Sequence, residues 1–210
     1  MKVETHSERM KSIPSFARKL FSVRHAQLWS ADLTAAVASR ELSNFEVRRI
    51  TSPDDPLLGD LGSDAFDHAY YRTCLARGDF GLAALDGATC AGRIWVTTVS
   101  HRDAFAGLRI TLGPGEAWCF GLWVERRYRG LGVASVILES AMHELQHDGA
   151  TVFYAVIESG NFPSQATATA AGWVTSGDVV FVRILNRLGL QVPFSVRPRT
   201  GPVAPRHRVG

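Results

Sequence analysis

The sequence predicts an α/β (α+β) fold: a mixed, mostly antiparallel central sheet with helices on both faces. Three stretches carry this expectation. Phe80 to Leu85, the turn pair Asp86-Gly87, and Thr89 to Val99 read as a β-hairpin. Glu116 to Ala134 (EAWCFGLWVERRYRGLGVA) reads as an apolar strand, a basic turn and the start of a helix. Thr151 to Ile157 (TVFYAVI) then supplies another strand. The resulting order is β, helices, hairpin, long β, helix, β, helix, β-β. Antiparallel strands come first and β-helix-β units later, which requires a mixed sheet covered by helices.

Taken in order, residues 1–14 are polar. Ser15 to about Leu42 reads as one long helix or two short ones, with Phe16, Leu20, Val23 and Gln27 on one stripe and Leu33, Ala36, Val37 and Arg40 on a later one. Phe45 to Ile50 alternates as a strand, and Thr51 to Pro56 is turn chemistry. Residues 57–77 read as one or two helices ended by Gly78-Asp79. Leu108 to Leu112 extends a strand, and Gly113-Pro114-Gly115 is a turn. The helix from about Leu131 to His147 has an apolar stripe of Leu131, Ala134, Ile137, Leu138, Ala141 and Leu145, and Gly149 stands at its stop. Asn161 to Ala171 is a short helix. Trp173-Val174 and Val179 to Leu185 are two late strands. From Pro193 the chain carries four prolines and Arg197, Arg199, Arg206 and Arg208, a composition that does not build a packed core. The expected organisation is a helical extension over 1–44, a domain over 45–190 and a basic, disordered Pro/Arg-rich tail over 191–210.

Composition narrows the class of function. At 210 residues with 46% apolar and 20% charged side chains, one soluble domain plus extensions is expected. A net charge of +3 gives little reason to expect nucleic-acid binding. Cys74, Cys90 and Cys119 have no CxxC spacing, which favours reduced thiols and a cytoplasmic setting over a disulfide framework. No apolar run reaches the roughly 18 residues that a membrane span needs, and the N-terminus lacks the apolar core of a secretory signal.

Within Glu116 to Ala134, Gly130 and Gly132 sit where a strand hands over to a helix. A helix start exposes unpaired backbone N–H groups and the positive end of the helix dipole, so this turn suits a phosphate. The turn reads Arg127-Tyr128-Arg129-Gly130-Leu131-Gly132, with Ala134 after it. Asn161 is followed by Ser164 at the third place and by Gly172-Trp173 eleven residues on. In both motifs, over about Phe45 to Leu185, the chain resembles the GNAT family of acyl-CoA-dependent N-acyltransferases.

The resemblance implies acetyl-CoA as co-substrate and no metal. It assigns cofactor binding to the backbone of Leu122, Trp123 and Val124, to the turn from Arg127 and Arg129 through Gly130, Leu131, Gly132, Val133 and Ala134, and to Asn161 and Ser164. It also implies a V-shaped slot where the fourth and fifth strands of the family fold splay, and direct attack of a primary amine on the thioester. The acceptor is then a small-molecule or peptide amine; neither nucleic acid nor membrane is expected, and a homodimer is compatible. The family often places a Tyr acid seven residues after the Asn, where this chain has Ala168. Glu116 and Glu158, at strand ends, are the candidates for general base, and Tyr154 is a possible substitute acid. Two other readings stay open. A CoA-binding sensor or partner-binding module fits the missing Tyr. A zinc hydrolase fits His143-Glu144-Leu145-Gln146-His147, an HExxH match whose histidines lie opposite the apolar stripe of their helix.

Overall fold

The computed structural model describes residues 21–35, 45–60, 65–102, 109–184 and 195–196. Its strands are β1 (Phe21–Asp32), β2 (Glu46–Ile50), β3 (Phe80–Asp86), β4 (Thr89–Thr97), β5 (His101–Arg102), β6 (Arg109–Ile110), β7 (Glu116–Val124), β8 (Val152–Glu158), β9 (Val174–Ile184) and β10 (Ser195–Val196). The helices are α1 (Leu57–Asp60), α2 (Ala65–Arg77), α3 (Val133–His147) and α4 (Phe162–Ala170), with a 3-10 turn at Arg126–Tyr128. A seven-stranded sheet runs β2-β3-β4-β7-β8-β1-β9, and a small sheet runs β10-β6-β5. In the large sheet β7 and β8 pair in parallel and the other neighbours pair antiparallel. The mixed, mostly antiparallel sheet expected from the sequence is what forms.

Each face of the sheet buries its own apolar layer. On one face, Val133, Ile137, Leu138, Ala141 and Leu145 of α3 pack on Leu82, Ile94, Ala117 and Phe153. On the other, Leu57 and Leu58 of α1 and Tyr71, Cys74 and Leu75 of α2 pack on Ala83, Trp95, Trp118 and Phe120. The helix α3 stops where Gly149 takes φ 84°. There Ala150 N–H reaches Leu145 C=O and Gly149 N–H reaches Gln146 C=O, the paired bonds of a Schellman ending. Cys74, Cys90 and Cys119 are all buried thiols. Among the described residues no helix is long and apolar enough to cross a membrane.

Four expectations are corrected. Phe21–Asp32 is a strand and not part of a helical extension; it runs between β8 and β9 and pairs with both. Its two faces are both apolar, with Ala26 and Leu28 in one core layer and Trp29 and Ala31 in the other. A strand buried on both faces has no polar-apolar alternation, so its apolar residues fall by chance onto a helical period. The rest of the expected extension, 1–20 and 36–44, lies outside the described residues. The two late strands are one strand, β9. Ser176-Gly177 does not end it, because the register shifts opposite Leu28 and Trp29 and the chain continues through a bulge. In the tail, Ser195–Val196 pairs in parallel with Arg109–Ile110, so these two residues are ordered in a sheet; 185–194 and 197–210 lie outside the described residues. Finally, Leu131 is 58% exposed in the turn before α3, and Val133 and Met142 join the buried stripe.

Candidate functional site

The site is built where β7 and β8 separate. They pair only at Glu116 with Val152, Ala117 with Phe153 and Trp118 with Tyr154. Beyond Trp118, β7 keeps its partner β4 on one side and leaves its other edge open. A bulge falls at the same place: Trp95 pairs with Phe120 while Arg93 pairs with Trp123, so two residues of β7 face one of β4. Gly121 sits in that bulge at φ 62°, a left-handed backbone that suits glycine. A glycine inside an apolar strand was the sequence signal for this bulge.

The slot between the parted strands is a cleft of about 310 Å³ lined by Phe120, Gly121, Leu122, Ile157, Glu158 and Ala168, among others. It shares Leu122, Asn161, Ser164 and Thr167 with a second cleft of about 640 Å³. In that cleft Leu122, Trp123 and Val124 form one wall, and Asn161 and Ser164 belong to the opposite side on α4. Arg129, Gly130, Gly132, Val133 and Ala134 line it at the start of α3. The structure therefore brings ten of the twelve expected cofactor residues to one cleft. Leu131 and Arg127 stand apart. Leu131 is exposed. The Arg127 guanidinium lies 4.8 Å over the Tyr128 ring, and the residue borders a separate recess with Glu125 and Thr89.

The helix start has the properties that a phosphate requires. Gly132, its N-cap, has φ 82° and supplies no side-chain cap, and the first helical turn bond is Val136 N–H to Gly132 C=O. The N–H groups of Val133, Ala134 and Ser135 precede that bond, and in an α-helix such groups point out of the N-terminus. A Cβ on Gly130 or Gly132 would meet nothing of the protein within 4 Å, so the backbone conformation, not internal crowding, selects glycine here. Two contacts fix the turn. Arg129 Nε donates to Val124 C=O at 3.2 Å, and Tyr128 hydroxyl donates to Asp86 at 2.9 Å, tying the turn to the β3–β4 hairpin. The hydrogen bond to Asp86 raises the Tyr128 phenol above its ordinary range. Asn161 caps α4 through its side chain, accepting from Ser164 N–H at 3.3 Å, a contribution of about 1 kcal/mol. Trp173 closes the inner end of the slot, its Nε1 donating to Met142 Sδ at 3.3 Å.

The two candidate bases occupy different surroundings. Glu158 is exposed and lines the slot. Glu116 is 7% exposed, on the part of β7 still paired to β8. One of its oxygens accepts Gly113 N–H at 2.7 Å and the other accepts the Tyr154 hydroxyl at 3.4 Å. Burial, then the charge of Glu116 and the bond to it, push the Tyr154 phenol up to about 12. Tyr154 therefore stays protonated at neutral pH with its proton directed at Glu116. Ala168 is buried and borders the slot.

The HExxH segment lies on the far side of α3. Glu144 and Asp148 both bind Arg49 of β2. His147 is 89% exposed at its side chain, with Nδ1 3.5 Å from Asp148. Among the described residues no group of three or more His, Cys, Asp or Glu is arranged to hold a metal ion.

A family model described as Acetyltransferase (GNAT) family matches residues 45–173. No curated protein matches the chain in sequence. Solved structures share the fold at low identity. The GCN5-related N-acetyltransferase from Sphaerobacter thermophilus superposes with TM-score 0.55 at 12% identity, over 92% of this chain and 59% of that one. The acetyltransferase from the GNAT family of Colwellia psychrerythraea gives 0.52 at 14%, over 76% and 55%. A tandem GNAT protein from the clavulanic acid biosynthesis pathway gives 0.55 at 18%, over 78% and 54%. The chain spans between half and two thirds of the length of each of these.

Proposed function

The chain belongs to the GNAT family of acetyltransferases, and from that premise we propose that it transfers an acetyl group from acetyl-CoA to a primary amine by direct attack. One observation carries the reading: the open edge of β7 beyond Trp118 and the uncapped start of α3 line one cleft. An extended pantetheine arm suits a strand edge, and a pyrophosphate suits a helix start. Acetyl-CoA would supply the activated thioester. In this proposal the N–H groups at the start of α3 hold the phosphates, and Asn161 and Ser164 face the arm across the cleft. A backbone N–H at the Gly121 bulge polarises the carbonyl and steadies the oxyanion. Glu158 suits the general base best, because it borders the slot, whereas Glu116 is buried where β7 is still paired to β8. Buried thiols fit a reducing compartment, so a cytoplasmic location is part of the same proposal.

A second reading is favoured by Ala168. With a methyl at that point of the slot, no side chain there protonates the leaving thiolate, which suits a protein that binds CoA and turns over little. A panel of primary amines assayed for thiol release from acetyl-CoA separates the two. Steady release with any amine, reduced at least tenfold in Glu158→Gln, supports the transferase. Tight acetyl-CoA binding with no release across the panel transfers the support to the sensor.

A further inference from the structure

The slot between β7 and β8 changes character along its length. Its exposed end carries Glu158 and Asn161. On β8 the wall then passes from Glu158 through Ile157 and Val156 to Ala155, next to the last pair with β7 at Tyr154. On β7, Leu122 borders both clefts, whereas Gly121, Phe120 and Cys119 border the slot alone. The inner end is lined by Cys119, Leu138, Ala155, Ala168 and Trp173, each no more than 8% exposed. All five belong to the apolar layer packed under α3. The slot thus enters that core layer, and none of these five side chains carries a charge or an amide.

Trp173 is a wall held from behind. Its Nε1 donates to Met142 Sδ at 3.3 Å, and its ring lies 4.9 Å from that of Phe153, tilted by 58°. With the indole N–H used inside the core, Trp173 offers the slot ring carbons, while Ala155 and Ala168 offer methyl groups. A water at this end finds few polar partners, and an apolar group that displaces such a water gains affinity. In the transferase reading the thioester carbonyl meets the backbone at Gly121, and the pantetheine arm arrives past Leu122 from the start of α3. What lies beyond the carbonyl is then the acyl chain, and ahead of it stand Cys119 and Ala155. From Gly121 to Cys119 is two strand residues, about 7 Å. A straight chain advances roughly 1.3 Å for each carbon–carbon bond of about 1.5 Å, so about five bonds cover that distance.

Resting on the transferase reading, we propose that the inner end of the slot is an acyl-chain pocket, so that the donor class extends beyond acetyl-CoA to straight-chain acyl-CoA thioesters of about four to six carbons. Trp173 closes the pocket and sets the upper limit of chain length. The reaction keeps its form: the amine nitrogen bonds to the acyl carbon, the C–S bond breaks toward sulfur, the amine proton passes to Glu158, and CoA leaves as the thiolate.

The test is isothermal titration of the whole protein with CoA and with acetyl-, butyryl-, hexanoyl- and decanoyl-CoA. Butyryl- or hexanoyl-CoA is expected to bind at least tenfold more tightly than acetyl-CoA, a discrimination that added methylenes give in an apolar pocket, and decanoyl-CoA is expected to lose that gain. Ala168→Leu on α4 and Cys119→Leu on β7 fill the inner end from two walls. Either variant, once shown to be folded by circular dichroism, is expected to lower the ratio of hexanoyl- to acetyl-CoA affinity at least tenfold. Straight primary amines from ethylamine to hexylamine, titrated with CoA bound, are expected to show no comparable gain. A flat acyl series, a rise that continues to decanoyl-CoA, or a ratio unchanged in a folded variant would overturn the proposal. A gain along the amine series beside a flat acyl series would overturn it too, by giving the pocket to the acceptor. If neither variant folds, the wild-type series decides alone. CoA binding with a flat acyl series leaves the transferase reading standing, whereas no binding by CoA or any acyl-CoA removes both.

Discussion

Glu116 and Tyr154 show how a residue chosen for chemistry can be committed to structure. The sequence placed Glu116 at a strand start, which is correct. It did not reveal that the Gly113 N–H and the Tyr154 hydroxyl both close on that carboxylate. The Tyr154 phenol, ordinarily near 10, rises to about 12. The folded chain then holds this proton more tightly than the unfolded one. This contribution to stability is fully present below pH 10 and is lost as pH rises toward 12. Tyr154→Phe lacks it. Denaturant unfolding is therefore expected to show the mutant less stable at pH 8, with the gap closing between pH 10 and 11.5. A gap independent of pH would contradict the pairing. The burial of Arg93 on β4, at 8% exposure, was likewise invisible in sequence, because an arginine in a strand reads as a solvated face until its neighbours are known.

At the scale of elements, motifs with strong punctuation were legible. The Asp86-Gly87 hairpin, the glycine turn before α3, the Gly149 stop and the short helix from Asn161 all stand where the sequence put them. What failed was β1, whose residues carry no turn signal and no alternation. Its consequence is energetic. Ala26, Leu28, Trp29 and Ala31 are all buried, and large apolar side chains contribute about 1.5–3 kcal/mol each on burial. The strand also satisfies the edges of both β8 and β9. Together these rival the roughly 5–15 kcal/mol of net stability of an ordinary domain. A chain beginning at residue 45 is thus expected to lose its cooperative melt and its near-ultraviolet circular dichroism. A sharp transition at the full-length temperature would show β1 to be dispensable.

At the scale of the whole molecule, the sheet is two blocks, β2-β3-β4-β7 and β8-β1-β9, joined in register only at three residue pairs, Glu116 to Trp118 against Val152 to Tyr154. The cleft exists because that junction is short, and α3 and α4 line its far part. The sequence carried this arrangement well, since the strand–turn–helix of Glu116 to Ala134 and the Asn161 to Trp173 segment are local patterns. It carried the second apolar layer poorly, since α2, β4 and β7, which meet there, are distant in sequence. The central claim is that the start of α3 grips the phosphates of an acyl-CoA. Isothermal titration of acetyl-CoA into the wild type and Gly132→Glu tests it directly. The account predicts one saturable site in the wild type and an affinity weakened at least tenfold, about 1.4 kcal/mol, in the variant. Either no binding by the wild type or an unchanged affinity in a folded Gly132→Glu would contradict it.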